Sequence, residues 1–281
     1  MNDDGRLPAG THPGRVSLTV NDLDRVSGFY TDVVGLVVED RENGRTSLGA
    51  GGRTLLELHE ESETPERGER EAGLFHTAFL VPSREALAGA LCRIEARWRL
   101  TGASDHLVSE ALYTRDPEGN GVEIYRDRER SEWPETDDGT PGIDTLPLDL
   151  DALRSFEHGG EPVPGEPRIG HLHLEVSSLD ESRAFYADDL GLNVRQAVGN
   201  SALFLAVGDY HHHLALNTWN GRSEPRRGRG LASFALVVPN REALGRIESR
   251  MPEWSIVSTS ETVLELEGPD GIRLSVATAD Y

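Results

Sequence analysis

At 281 residues the chain has room for two ordinary domains, each with its own core. Its formal net charge is -21, from 49 acidic against 28 basic residues, and every basic residue is Arg. That balance argues against nucleic acid or an anionic membrane as partner, because phosphates are held by clustered cations. It suits a chain kept soluble in concentrated salt, and points to a cytoplasmic protein of a halophile. The first residues, MNDDGRLPAG, lack a basic stretch followed by an apolar one, and no apolar run approaches the ~20 residues of a membrane span. The lone Cys92 excludes an internal disulfide and is expected to be a small core residue.

In chain order, Val16–Val20 alternates as a strand, and an Asn cap then opens an amphipathic helix over Asp22–Val33. Gly35 fits a left-handed C-cap. Strands are expected at Arg45–Leu48 and Thr54–His59. A strand at Phe75–Val81 leads to a helix over Arg84–Trp98, and the turn Asp116-Pro117-Glu118-Gly119-Asn120-Gly121 leads to a strand ending at Tyr125. Residues 131–167 are rich in Pro, Gly and acid and read as a linker with one short helix near Asp149–Phe156. Beyond it the pattern returns, with strands at Ala202–Val207 and His211–Asn217 and a GPDG turn before the last strand.

The return is an internal repeat. VSLTVNDLDRVSGFYTDVVGL (16–36) aligns without a gap with LHLEVSSLDESRAFYADDLGL (172–192), and AFLVPSREAL (78–87) with ALVVPNREAL (235–244). Four units of strand–helix–strand–strand–strand follow, in the order A, B, A′, B′. The fold class is therefore α+β, with four βαβββ units. Residues 1–130 and 168–281 form two domains of two units each.

His76 opens one apolar strand and Glu123 lies within another. Imidazole and carboxylate on neighbouring strands suit divalent iron or manganese, although a hydrogen-bonded His and a solvated Glu would read the same way.

The repeat, the FY…D…GL signature and the DPEGNGVEIY ending resemble the vicinal oxygen chelate superfamily of glyoxalases and extradiol dioxygenases. That superfamily pairs βαβββ units into half-barrel cups around a metal. The segments LFHTAFLVP, SDHLVSEALYTRDPEGNGVEIYRD, IGHLHLEV and GDYHHHLALNTWNG, in that order, are similar to two-domain catechol 2,3-dioxygenases of the bacillar type. The resemblance implies Fe(II), or Mn(II), held by His76, His171 and Glu123, each in a ligand slot of its unit. The slots in A and B′ hold Arg15, Ser233 and Ser275, which are poor ligands. Unit B would then pair with A′, and A with B′, which a linker of about 40 residues can span at ~3.3 Å per residue. The alternative is a barrel within each half, leaving both ligand sets incomplete.

The same resemblance implies an acid/base role for His212, a substrate-oxygen contact for Tyr113 (ten residues before Glu123), and a pocket position for His106. His173, His213 and Trp219 are candidates for substrate contact, with Phe204 beside them. Strand alternation puts His211 and His213 on one side and His212 on the other, without saying which faces the cup. His12, His59 and His158 are expected to be exposed.

The implied reaction is extradiol cleavage of catechol or a substituted catechol by dioxygen, in a homo-oligomer. A glyoxalase-type lyase or isomerase would need a carboxylate where, counting from Trp219, Leu214 stands. A binding protein without catalysis would predict loss of the His/His/Glu set.

Overall fold

A computed structural model describes residues 5–136, 139–156 and 167–279. Unit A comprises β1 (His12–Val20), α1 (Leu23–Phe29), β2 (Val37–Glu42), β3 (Arg45–Ala50) and β4 (Arg53–Glu60). Unit B comprises β5 (Gly73–Leu80), α2 (Arg84–Arg97), β6 (Gly102–Asp105), β7 (Ser109–Arg115) and β8 (Gly121–Asp127). The linker supplies β9 (Leu146–Pro147) and α3 (Leu150–Arg154). Unit A′ comprises β10 (Arg168–Glu175), α4 (Leu179–Arg183), β11 (Asn193–Val198), β12 (Ala202–Ala206) and β13 (Leu214–Asn217). Unit B′ comprises β14 (Gly230–Val238), α5 (Arg241–Arg250), β15 (Ile256–Thr259), β16 (Val263–Glu267) and β17 (Arg273–Thr278).

The strands form two mixed sheets, in the α+β arrangement that the repeat predicts. One runs β15-β16-β17-β14-β1-β4-β3-β2 and the other β11-β12-β13-β10-β5-β8-β7-β6-β9. In units B, A′ and B′ the first strand lies parallel to the last (β5 with β8, β10 with β13, β14 with β17), and the hairpin neighbours such as β7–β8, β12–β13 and β16–β17 are antiparallel.

Two compact units are distinguished by contact density. One consists of Leu18–Thr64 and His76–Gly170, the other of Met1–Ser17, Pro65–Phe75 and His171–Tyr281. In the first, the expected helix over Asp22–Val33 is shorter. It is α-helical only to Phe29 and closes with a wide π-type turn over Tyr30–Val34, in which Gly35 N–H reaches back to the Tyr30 carbonyl at 3.0 Å. The carbonyls of Val33 and Val34 accept instead from buried Arg93 on α2, at 3.1 and 2.9 Å. Glu118, from the DPEGNG turn, accepts from the N–H groups of Asn21 and Asp22 at 2.8 to 3.0 Å, just before α1. Trp98 packs edge-on against Phe29 and donates its indole N–H to the Arg115 carbonyl.

The second compact unit repeats these devices. A π-type turn over Ala184–Asp189 follows α4, Arg250 donates to the Leu190 carbonyl, Asp270 accepts from Ser177 N–H at 3.0 Å, and Trp254 packs on Phe185. Arg93 and Arg250 occupy the same place in the two B-type helices, and Val34 and Leu190 the same place in the A-type turns. Gly191, at φ +96°, lies so close to the Gly5 carbonyl and the Arg250 guanidinium that a Cβ there would overlap both.

Two expectations are corrected. Cys92 is exposed, because the buried stripe of α2 runs through Leu87, Ala90, Leu91 and Ile94, and Cys92 points away from it. His59 is half-buried on β4, 3.9 Å from the Glu57 carboxylate, whereas His12 is exposed. His158 lies outside the described residues. The short linker helix is present as α3. Among the described residues, no helix is long and apolar enough to cross a membrane.

Candidate metal centre and active site

The register of β5, β7 and β8 puts His76, Glu123 and Tyr113 on one face. Ala78 pairs with Glu123 across the parallel β5–β8 ladder, and Tyr113 with Glu123 across the antiparallel β7–β8 ladder. His76 and Glu123 are both buried, with Nε2 of the imidazole 2.9 Å from the carboxylate. The Tyr113 hydroxyl lies 2.7 Å from His106 Nε2 and hydrogen-bonds Glu123. Burial, reinforced by the negative charge of Glu123, holds the phenol well above its ordinary titration range, so Tyr113 carries its proton at neutral pH. His106 follows β6, and its Nδ1 is 2.7 Å from the Asp144 carbonyl. Behind the same face, Tyr125 crosses Gly170 so closely that a Cβ at Gly170 would overlap the phenol oxygen. Only Gly fits one residue before His171.

On β10, His171, His173 and Glu175 share one face by alternation. The His212 ring lies 4.1 Å from that of His171, centroid to centroid, and 5.1 Å from that of Phe204. Fully buried His211 joins its Nδ1 to that of His212 at 2.8 Å and stacks on Tyr210. Strand alternation does not sort these histidines, because β13 begins only at Leu214 and His211 and His212 lie in the preceding loop. His213 accepts from Val207 N–H at 3.1 Å. His173 meets the Asn217 amide at 2.9 Å and packs against Phe75, Trp219 and Phe204 at 4.9, 5.1 and 6.1 Å. Trp219 is 49% exposed, so it borders this aromatic group on its solvent side. Beyond it, buried Glu175 is paired with Arg67 at 2.7 Å and Arg222 at 3.1 Å.

The ligand atoms of His76, Glu123 and His171 lie within 4.8 Å of one another, and all three side chains are buried. Two neutral imidazoles and one carboxylate are a donor set that fits a divalent first-row metal. Among the described residues, the corresponding places in A and B′ contain no such set. Ser275 there donates to Glu265, its partner across β16–β17, at 2.7 to 2.8 Å.

Residues 12–124 and 168–275 match the family model described as the Glyoxalase/Bleomycin resistance protein/Dioxygenase superfamily. The chain belongs to this superfamily. Among its relatives, a catechol-2,3-dioxygenase of Bacillus subtilis (strain 168) is 39% identical over 253 residues, spanning 86% of this chain and 87% of that protein. Solved structures share the superfamily fold at lower identity. Glyoxalase I from Zea mays aligns with a TM-score of 0.61 at 17% identity, over 96% of this chain and 92% of its own. The cppA protein from Streptococcus pneumoniae TIGR4 aligns at 0.59 and 13% identity, over 96% of this chain and 97% of its own.

Three members of the site carried no sequence signal. Phe75 and Asn217 are ordinary strand residues by pattern, and the Asp144 carbonyl belongs to a linker that composition marks only as irregular. His211 was visible as one of three adjacent histidines, but its role as the partner of His212 depends on the loop conformation.

Proposed function

We propose that this chain is an extradiol dioxygenase that opens the ring of catechol or a substituted catechol, with Fe(II), or alternatively Mn(II), held by His76, His171 and Glu123. The observation that carries this reading is the mutual approach of those three ligand atoms in a buried setting. The Bacillus subtilis relative, a catechol-2,3-dioxygenase by name, supports the same reaction class. When bound, the metal would supply Lewis acidity toward the diol and one-electron chemistry toward dioxygen.

The chain's own residues then have distinct tasks. Protonated Tyr113, hydrogen-bonded to His106, is placed to contact a diol oxygen and pass a proton to the imidazole. His212, stacked on His171 and tied through Nδ1 to His211, would act as acid/base on the reacting oxygens through Nε2. His173, Phe75 and Trp219 supply an aromatic wall against which a planar ring can stack and from which water is excluded. His213, whose Nδ1 holds the Val207 N–H, would shape the loop that presents His212. In the overall reaction the carbon–carbon bond beside the diol breaks and both atoms of dioxygen enter the product, so no external reductant is consumed.

Leu214, buried at the start of β13, offers no carboxylate to serve as the base of a glyoxalase-type isomerisation. Protein loaded anaerobically with Fe(II) and mixed with catechol in air is expected to consume oxygen mole for mole and form a yellow ring-opened product. Turnover of methylglyoxal with a thiol, and none of catechol, would replace this reading with the lyase one.

A further inference from the structure

Glu175 lies on the same face of β10 as His171 and His173, with only 1% of its side chain exposed. Its Oε2 accepts from Arg67 Nη2 at 2.7 Å and from Arg222 Nη2 at 3.1 Å, and its Oε1 accepts from the Asn220 amide. Both oxygens are therefore engaged by donors of this chain, and two guanidiniums share one negative charge. None of these residues takes part in the proposed ring opening. All of them, together with Phe75, His173 and Trp219 of the aromatic wall, belong to one of the two compact units.

The partners of this carboxylate sit next to the members of the wall. Arg67 uses Nη1 to hold the Leu74 carbonyl at 2.9 Å, and Leu74 directly precedes Phe75. Asn220 directly follows Trp219, and Glu175 itself stands two residues beyond His173. Arg222 reaches across with Nη1 to the Glu69 carbonyl. The two loops that carry Phe75 and Trp219 also pair through their main chains. Ala72 N–H donates to the Glu224 carbonyl at 2.8 Å, and the N–H groups of Ser223 and Glu224 donate to the Arg70 carbonyl at 2.8 and 2.9 Å. Gly228 passes so close to the Arg67 main chain that a Cβ there would overlap it. Within the wall, Trp219 N–H donates to Asn217 Oδ1 at 3.1 Å, which turns the amide nitrogen of Asn217 toward His173.

We propose that Glu175 is a positioning residue for the substrate, the hub that holds Phe75, Trp219 and His173 together as one surface for a planar aromatic ring. The proposal deepens the dioxygenase reading and rests on it for its kinetic consequence, while the geometry of the wall is a property of the chain alone. A carboxylate suits the task because each of its oxygens only accepts. An amide in its place would turn a donor toward donors and leave two cations facing each other with no anion between them. Ring stacking is felt alike before and during bond making, so the hub acts on binding of the ring and not on the bond-making step. Although Glu175 shares a strand face with His171, its oxygens are directed to Arg67, Arg222 and Asn220, so its loss leaves the metal ligands in place.

The test is Glu175→Gln, which keeps the volume and removes the charge. In metal-free protein labelled with 5-fluorotryptophan, the ¹⁹F signal of Trp219, assigned by its loss in Trp219→Phe, is expected to shift or split relative to wild type. An unchanged signal would overturn the proposal. In the iron-loaded enzyme, KM for catechol is expected to rise by about 3- to 30-fold, with kcat within about threefold of wild type and iron content unchanged. A lower kcat at unchanged KM, or loss of iron, would overturn it by making Glu175 part of the chemistry or of the ligand set. Should Glu175→Gln fail to fold, Asn220→Ala decides, because it deletes only the donor beside Trp219. It is expected to shift the same signal and raise KM by about 2- to 5-fold, and a wild-type signal and KM would overturn the proposal. A displaced Trp219 signal in a protein inert toward catechols would remove the dioxygenase reading and leave the hub. Ring cleavage by Glu175→Gln with the KM of wild type would do the reverse.

Discussion

Glu123 sits 2.9 Å from His76 Nε2 in a buried setting, beside a tyrosine that keeps its proton. A divalent ion held there would offset the desolvation of the buried carboxylate. Glu123→Gln, His76→Ala and His171→Ala are each expected to lower bound metal from about one per chain to a small fraction, read by elemental analysis after dialysis. Wild-type metal content in any of the three would remove that residue from the ligand set. Tyr113→Phe keeps the packing but deletes the hydroxyl between His106 and Glu123. Its metal content should match wild type, while kcat falls by about 10²-fold or more; an unchanged kcat would confine Tyr113 to packing. At this scale the sequence was partly legible. His76 and His171 each stand five residues before a Val that ends a strand, and Tyr113 stands ten before Glu123. Which of His211, His212 and His213 faces His171 was not legible, since it depends on a loop that breaks strand alternation, and a main-chain carbonyl such as that of Asp144 leaves no trace in residue identity.

Elements are held in place by contacts that the repeat carries but does not advertise. Arg93 and Arg250 hold equivalent places on α2 and α5, and each donates to the carbonyls released by a π-type turn. Arg93→Ala would leave those carbonyls and a buried guanidinium-sized space unfilled. The expected loss is about 2–4 kcal/mol in denaturant unfolding, with the metal site unaltered in the folded fraction. A loss under about 0.5 kcal/mol would show that water replaces the guanidinium. Gly170→Ala is expected to cost about 1–3 kcal/mol, because Tyr125 or β10 must move. Since His171 is the next residue, the same substitution should weaken metal binding, and wild-type affinity would contradict that link. Strand and helix positions were read closely from periodicity and caps. The wide turns after α1 and α4 were not, because helical periodicity looks the same until one turn is widened by a contact from another unit.

For the whole molecule, the repeat in the order A, B, A′, B′ allowed two pairings, and the ligand slots favoured the one in which B and A′ share a sheet. Local pattern alone could not choose, since each unit is locally self-consistent whichever partner it takes. A net charge of -21 adds self-repulsion to a fold of this size, so the unfolding midpoint should rise as sodium chloride is added from low ionic strength. A midpoint indifferent to salt would show that the carboxylates are already balanced locally by Arg pairs. The most direct test of the proposed chemistry is oxygen consumption by the Fe(II)-loaded chain on addition of catechol. Uptake of one dioxygen per catechol with a yellow ring-opened product, abolished in His171→Ala, is the predicted result. No uptake by a protein that holds its iron would contradict it.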